Sequence, residues 1–266
     1  MSRAAAGALR FALLLLTAFV ALQIYFVLRI ALMIAVDPQS TTFQRSEMWR
    51  LAATRHHIAW SQQWRDAPGI AETLKRAVIA SEDAGFAEHS GVEWDALEKA
   101  WERNQRAEAQ AEQGNERLAR RAAAAAQRSP ERAAVVRPMQ PVRAKIVGGS
   151  TITQQLAKNL FLSGERNLLR KAQEFALALM LEGTLDKRRI LEIYLNEIEW
   201  GEGVFGAQAA ARHYFHVDAS QLGTMQAARL AVMLPAPRRF EQRLASAYVS
   251  GRAASIAARM SGVEVP

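Results

Sequence analysis

Eighteen consecutive residues without a charge, FALLLLTAFVALQIYFVL at 11–28, open the hydrophobic pattern of the chain. Arg29 interrupts the run and IALMIAV carries it on to Val36. As a helix, these 26 residues reach roughly 39 Å at about 1.5 Å per residue, enough to cross a hydrocarbon core of about 30 Å with some tilt. Arg3 and Arg10 precede the run, so the excess of positive charge places residues 1–10 in the cytoplasm and the bulk of the chain across the membrane. Arg29 sits near enough to the far end to extend its guanidinium to the surface. A cleaved signal peptide has an apolar region of about 7–15 residues and is therefore the poorer match. The pattern predicts a retained, single-pass anchor over 11–36.

Beyond the anchor the rhythm changes. Residues 37–69 are mixed and carry Trp49, Trp60, Trp64 and the Arg55-His56-His57 cluster, a composition expected of a juxtamembrane segment at the lipid–water boundary. Pro68-Gly69 punctuates the chain, and Ile70, Leu74, Ala77 and Val78 then recur at helical spacing, predicting a helix that stops near Gly85. From 150 to 234 nearly every segment has the helical period: TITQQLAKNLF, NLLRKAQEFALALMLEG, DKRRILEIYLNEIE, AQAAARHYF and TMQAARLAVML. The alternation of β-branched residues expected of strands is nearly absent. Pro235 and Pro237 end the last of these helices, and 241–266 reads as one further weak, peripheral helical tail. Residues 104–143 stand apart: Ala, Arg, Gln and Glu dominate, five alanines run together at 122–126, and large apolar residues are too few for a core. This stretch reads as a low-complexity basic insertion within a mainly α domain spanning 70–240.

Charge refines the picture. The net charge is +8 with a pI near 10.3, which by itself invites an anionic partner such as nucleic acid or lipid headgroups. Nine basic and four acidic residues fall within 104–145, so that segment holds +5 of the total and leaves the rest only mildly basic. A nucleic-acid reading thereby loses its footing. The absence of cysteine excludes disulfides, thiolate metal sites and a cysteine nucleophile.

Four stretches carry candidate chemistry. GEGVFG at 201–206 fits G-x-G-x-x-G, but a helical pattern precedes it and no carboxylate lies about 20 residues on, so a dinucleotide fingerprint is excluded. Its glycines instead suggest a tight helix-to-helix turn or a close backbone approach. In SEDAGFAEH at 81–89, Glu82 falls at a helix C-terminus, where the helix dipole and adjacent Asp83 both raise its pKa towards that of a general base. An ordinary solvated Glu-Asp pair at a helix end has the same sequence. In GGSTITQQLAKN at 148–159, Thr151 and Gln154 form a capping-box pattern behind two glycines, with Lys158 two turns along. That suits phosphate oxygens, or simply a well-capped helix. In RKAQE at 170–174, Arg170 and Lys171 share a helix face with Glu174, as partners for a carboxylate entering a buried helix or as a structural ion-pair cluster. His213 and His216 lack metal-site spacing and fit a helix end.

Taken in order, EDAGFAEHSG, GGSTITQQLAKN, RKAQE, KRRILEIYLN at 187–196 and GVFGAQAAARHYF at 203–215 resemble the successive motifs of the biosynthetic peptidoglycan glycosyltransferases, glycosyltransferase family 51, in its monofunctional branch. The resemblance implies a lysozyme-like, two-lobed helical domain behind one N-terminal transmembrane helix. It implies a bacterial inner-membrane protein with its catalytic domain in the periplasm. The implied substrate is lipid II, added to a nascent glycan strand with inversion and loss of undecaprenyl pyrophosphate. By the same resemblance Glu82 is the base, and Lys158, Arg166 and Lys171 hold the pyrophosphate. Glu174 is the second catalytic carboxylate, either orienting those cations or helping to bind a metal on the pyrophosphate, while Ser150, Gln154 and Asn159 line the donor side. Asp83, Phe86, His89 and Arg170 support them. No cofactor is required, although a divalent cation, Mg2+ or Mn2+, on the pyrophosphate is compatible, and no protein metal ligand is assigned. Other cell-wall synthesis proteins are compatible partners.

The insertion at 104–143 departs from the family's shorter link at this place, and its basic charge suggests anionic headgroups. The nearest rival is a lysozyme-like enzyme that cleaves glycan strands. It too uses a glutamate in a helical cleft, but it has no use for the pyrophosphate cations. A tethered basic binding protein without catalysis leaves the ordered carboxylates and cations unexplained.

Overall fold

The computed structural model describes residues 3–128, 149–162 and 167–266. They divide into two compact units, Met1–Val92 with Thr151–Pro266, and Glu93–Ser150.

In the first unit, α1 (Arg3–Leu32) is the apolar helix, and its Ala5–Leu32 stretch is long and apolar enough to cross a membrane. Its two ends differ. Phe11, Leu14 and Phe19 are exposed, whereas Phe26, Ile30 and, just past the helix, Met33 are buried in the hydrophobic core. The anchor is thus joined to the domain by packing as well as by the chain. Gln173 Nε2 donates to Gln23 Oε1 at 3.2 Å, and Arg189 donates through Nε to the Met33 carbonyl at 2.8 Å while pairing with Asp37 at 2.7 Å.

The segment 37–69, expected at the membrane boundary, folds as part of this unit. Its helix α2 (Thr42–Arg55) starts with a full capping box between Thr41 and Gln44 and buries Gln44, Glu47 and Leu51. Trp60 stacks on Phe205 at 4.4 Å and the Arg189 guanidinium lies 5.5 Å from the centre of the Trp64 ring. Aromatic content alone does not distinguish an interface from a core position, because both remove ring area from water.

A short strand β1 (Ser61–Gln62) leads to α3 (Glu72–Glu82), whose Leu74, Ala77, Val78, Ile79 and Ala80 are buried. The Asp83 N–H closes that helix on the Ile79 carbonyl, so it stops near Gly85 as expected. In the second unit, α4 (Trp94–Arg128) runs unbroken through the compositional border at 104, with Ala100 and Ala111 buried and exposed Glu102–Arg106 and Glu116–Arg120 pairs one turn apart. The rest of the insertion, 129–143, lies outside the described residues.

Back in the first unit come α5 (Ile152–Phe161), α6 (Leu168–Thr184) and α7 (Lys187–Glu197), which pack on one another. Two strands follow, β2 (Glu199–Gly201) and β3 (Val204–Phe205), antiparallel to each other, with β1 parallel to β3 on its other side. The glycine hexapeptide is therefore a small hairpin, not a helix-to-helix turn. Gly203 and Gly206 both have positive φ, and a Cβ on Gly206 would lie 2.6 Å from the Asn196 carbonyl oxygen, so backbone crowding accounts for the glycines. The strands are too short for alternation to register in the sequence.

α8 (Ala207–Phe215) ends on His216 in the left-handed conformation. α9 (Thr224–Met233) packs against α3 and, past the short α10 (Pro237–Phe240), against α11 (Ala247–Ala257). Val249, Ala253 and Ile256 of α11 are buried, so the C-terminal tail belongs to the core instead of lying at its edge.

Candidate active site

α3 ends where its last carboxylate is only half-buried. Glu82 Oε2 accepts from Gln155 Nε2 of α5 at 3.0 Å, and Glu82 Oε1 accepts from Ser81 Oγ at 3.2 Å. Burial holds the Glu82 pKa above the usual carboxylate range, and the neighbouring Asp83 charge adds to the rise. The two hydrogen bonds and the Lys158 charge pull the other way. Desolvation, which the helix-end position and Asp83 do not by themselves reveal, is thus the larger cause of the rise.

Asp83 braces this corner. Its Oδ1 lies 2.8 Å from His89 Nε2, and its Oδ2 accepts the Ile152 N–H at 2.9 Å, the first helical amide of α5. The Gly91 N–H donates to His89 Nδ1 at 3.2 Å, so Nε2 carries a proton and points it at Asp83. Thr151 caps α5 by accepting the Gln154 N–H and donates through its hydroxyl to the Gly91 carbonyl at 2.6 Å. The carboxylate after Glu82 thereby joins the end of α3 to the start of α5, which fixes the helix that carries Gln155 and Lys158.

α5 packs on α6, which brings the second carboxylate. Glu174 is 3% exposed and both its oxygens are ion-paired, Oε2 with Arg170 Nη1 at 2.8 Å and Oε1 with Lys171 Nζ. The Asn167 side chain accepts the Arg170 N–H at 2.7 Å and starts the helix one turn earlier. A divalent ion at Glu174 would face two cations at contact range, so this carboxylate does not fit a metal site. Asp83 and His89 have the chemistry to meet a cation, yet both Asp83 oxygens already serve the fold.

The remaining sequence candidates distribute unevenly. Lys158 is exposed and close enough to act on Glu82 electrostatically. Phe86 is fully buried, with Lys187 Nζ 4.5 Å from its ring centre, and supports the corner from the core. Gln154 is 2% exposed and Asn159 9%, so neither side chain is open to solvent. Ser150 is half-buried and belongs to the second unit, and Arg166 lies outside the described residues.

Two residues that the sequence motifs did not single out complete the corner. Gln155, not Gln154, reaches Glu82, and the fully buried Tyr194 of α7 donates to Gln155 Oε1 at 2.9 Å. Spacing alone did not choose between them, because Gln154 and Gln155 lie four and three residues before Lys158 and both spacings share its helix face. Tyr194 lies within KRRILEIYLN, but nothing local in that motif pairs it with Gln155, 39 residues away in sequence.

Comparison with known proteins places this geometry in context. Residues 51–134 and 131–261 match the family model described as Transglycosylase. A biosynthetic peptidoglycan transglycosylase of Bordetella pertussis is 49% identical over 230 residues, covering 86% of this chain and 82% of its own length. The protein of that name from Cupriavidus metallidurans is 48% identical over 261 residues and 95% of each chain. Its counterpart in Burkholderia pseudomallei is 45% identical over 249 residues, covering 94% of this chain and 84% of its own.

Proposed function

This chain belongs to the transglycosylase family, and from that premise we propose how its side chains carry out the reaction of a peptidoglycan glycosyltransferase. The enzyme polymerises glycan chains, and its family implies lipid II and a glycan strand as substrates. Glu82 is the general base. It takes the proton of the acceptor GlcNAc 4-hydroxyl as that oxygen bonds to the anomeric carbon of the growing chain. The bond from that carbon to the lipid pyrophosphate breaks, the leaving oxygen keeps the electron pair, and the configuration inverts. Lys158 and Lys171 stabilise the charge that develops on the pyrophosphate, where fixed cations lower a barrier most, and Arg166 has the same role. Glu174 orders Arg170 and Lys171. Ser150, Gln154 and Asn159 support the donor side, the last two from within α5. A divalent cation on the pyrophosphate is compatible with this scheme, but no step is assigned to one.

One observation carries the reading: Glu82 is a half-buried carboxylate with a raised pKa, held by neutral donors beside an exposed lysine. A base whose pKa is raised above the ordinary carboxylate range is better matched to proton removal from a sugar hydroxyl. The apolar helix α1 is consistent with a single-pass membrane anchor. The N-terminus is cytoplasmic and the catalytic domain lies on the periplasmic side of the inner membrane, an orientation supported by Arg3 and Arg10. The test is polymerisation of fluorescent lipid II by detergent-solubilised full-length protein beside Glu82→Gln. Long glycans from the wild type and none from the variant are expected. Shortening of pre-formed strands without polymer would favour the cleaving enzyme instead.

A further inference from the structure

Behind Gln155 stands a residue that the reaction scheme does not use. Tyr194 is 0% exposed, and its hydroxyl donates to Gln155 Oε1 at 2.9 Å, while Gln155 Nε2 donates to Glu82 Oε2 at 3.0 Å. We propose that Tyr194 is a positioning residue that fixes the orientation of the Gln155 amide, and through it keeps Glu82 ready to accept a proton.

The argument is one of donors and acceptors. An amide turned end for end exchanges an N–H2 donor for a carbonyl acceptor at nearly the same shape. With Nε2 towards Glu82, the amide supports the ionised carboxylate. With Oε1 there, it repels the carboxylate and instead accepts from the protonated acid. The two orientations therefore favour opposite protonation states of the base. Tyr194 chooses between them because a fully buried hydroxyl must place its single proton on an acceptor. In the observed orientation that acceptor is Gln155 Oε1. Turning the amide would leave the buried O–H facing a donor, with its own proton unmatched, at the cost of an unsatisfied group.

Other groups around Glu82 do not make this choice. Asp83, next in α3, raises its pKa, and Lys158 of α5 lowers it. From α9 the Ala231 carbonyl accepts from Ser81 Oγ at 3.5 Å. None of these contacts depends on which way the Gln155 amide points. Tyr194 itself is a neutral donor, because burial, followed by the charges of Glu82 and Asp83, pushes its pKa well up.

The inference rests on Glu82 as the base, and the experiment separates the two. Steady-state polymerisation of lipid II would be followed from pH 5.5 to 9 for wild type, Glu82→Gln, Tyr194→Phe, Gln155→Ala and the double variant of the last two. Tyr194→Phe keeps the ring in the core and removes only the hydroxyl. It should lower kcat about tenfold at neutral pH with KM within about twofold, and move the acid limb of kcat upward by about half to one pH unit. Gln155→Ala should do at least as much, and Tyr194→Phe should add nothing in its background, because the tyrosine acts through the glutamine. An acid limb that stays in place in Tyr194→Phe, or an undiminished effect without Gln155, would overturn the proposal while leaving the base assignment intact. Polymerisation by Glu82→Gln would instead remove the base assignment and this inference with it.

Discussion

Glu82 and Glu174 are two carboxylates drawn from water in the same folded unit, and their surroundings have opposite chemistry. Glu82, at the end of α3, meets an amide, a hydroxyl and, farther off, the Lys158 charge. Glu174, in the second turn of α6, has one cation on each oxygen. Neutral donors hold a carboxylate in place without neutralising it, so its proton affinity stays open to adjustment by burial. Paired cations neutralise it, and what the pair gains is order: Arg170 and Lys171 are held where an anion can reach them. The contrast teaches that burial alone does not make a base. The partner set decides whether a buried carboxylate handles protons or arranges cations.

The strongest challenge to this contrast is removal of each carboxylate's charge. Glu82→Gln should lower kcat by about 10³-fold or more, within the range for loss of a general base, while lipid II binding stays within a few fold. Glu174→Gln should lower kcat/KM by a smaller factor, about 10²-fold, and reduce thermal stability by about 1–2 kcal/mol, since two partly exposed cations lose their partner. If Glu174→Gln instead abolished kcat with a changed pH profile and unchanged stability, the division of roles would fail.

A third carboxylate sharpens the comparison. Glu197, at the end of α7, is 1% exposed with no ion pair among the described residues, and Gln62 Nε2 reaches its Oε2 at 3.4 Å. Burial raises its pKa from 4.5 to about 8, with a further push from Asp37 against the Gln44 and Gln62 contacts. A folded pKa above the unfolded one means that the native state binds the extra proton between those values. Its contribution to stability is therefore complete below about pH 4.5 and is lost as pH rises through about 8. Melting followed by circular dichroism from pH 5 to 8.5 should show a loss of roughly 1–2 kcal/mol after relaxation around the charge, flattened in Glu197→Gln. A wild-type profile as flat as the variant's would show that the group does not stay neutral.

The smallest expected effect comes from Ser81→Ala. Its 3.2 Å contact is the longer of the two on Glu82, and its removal should lower kcat only about two- to threefold. A loss as large as that expected from Gln155→Ala would mean that the hydroxyl, and not the amide, dominates at this carboxylate.

What the sequence by itself determined was local in origin. The 11–28 run specified an apolar helix, because length and the absence of charge suffice for that. The 3.6-residue period announced α3 and the helices from α5 to α9, and Thr151 marked the start of α5 through its own side chain. Arg170, Lys171 and Glu174 were legible as one cluster because partners three and four residues apart meet on any helix. Tertiary structure alone decided what depends on distant pairs. It set Gln155 against Glu82 across 73 residues and Tyr194 behind it, and it joined Asp83 to the first amide of α5. It also buried the end of the anchor helix, packed one side of α2 and Trp64 against the domain, and drew the C-terminal helix into the core. A helical period records which face turns inward but not which partner waits there, and it is the partner that sets the chemistry of a buried carboxylate.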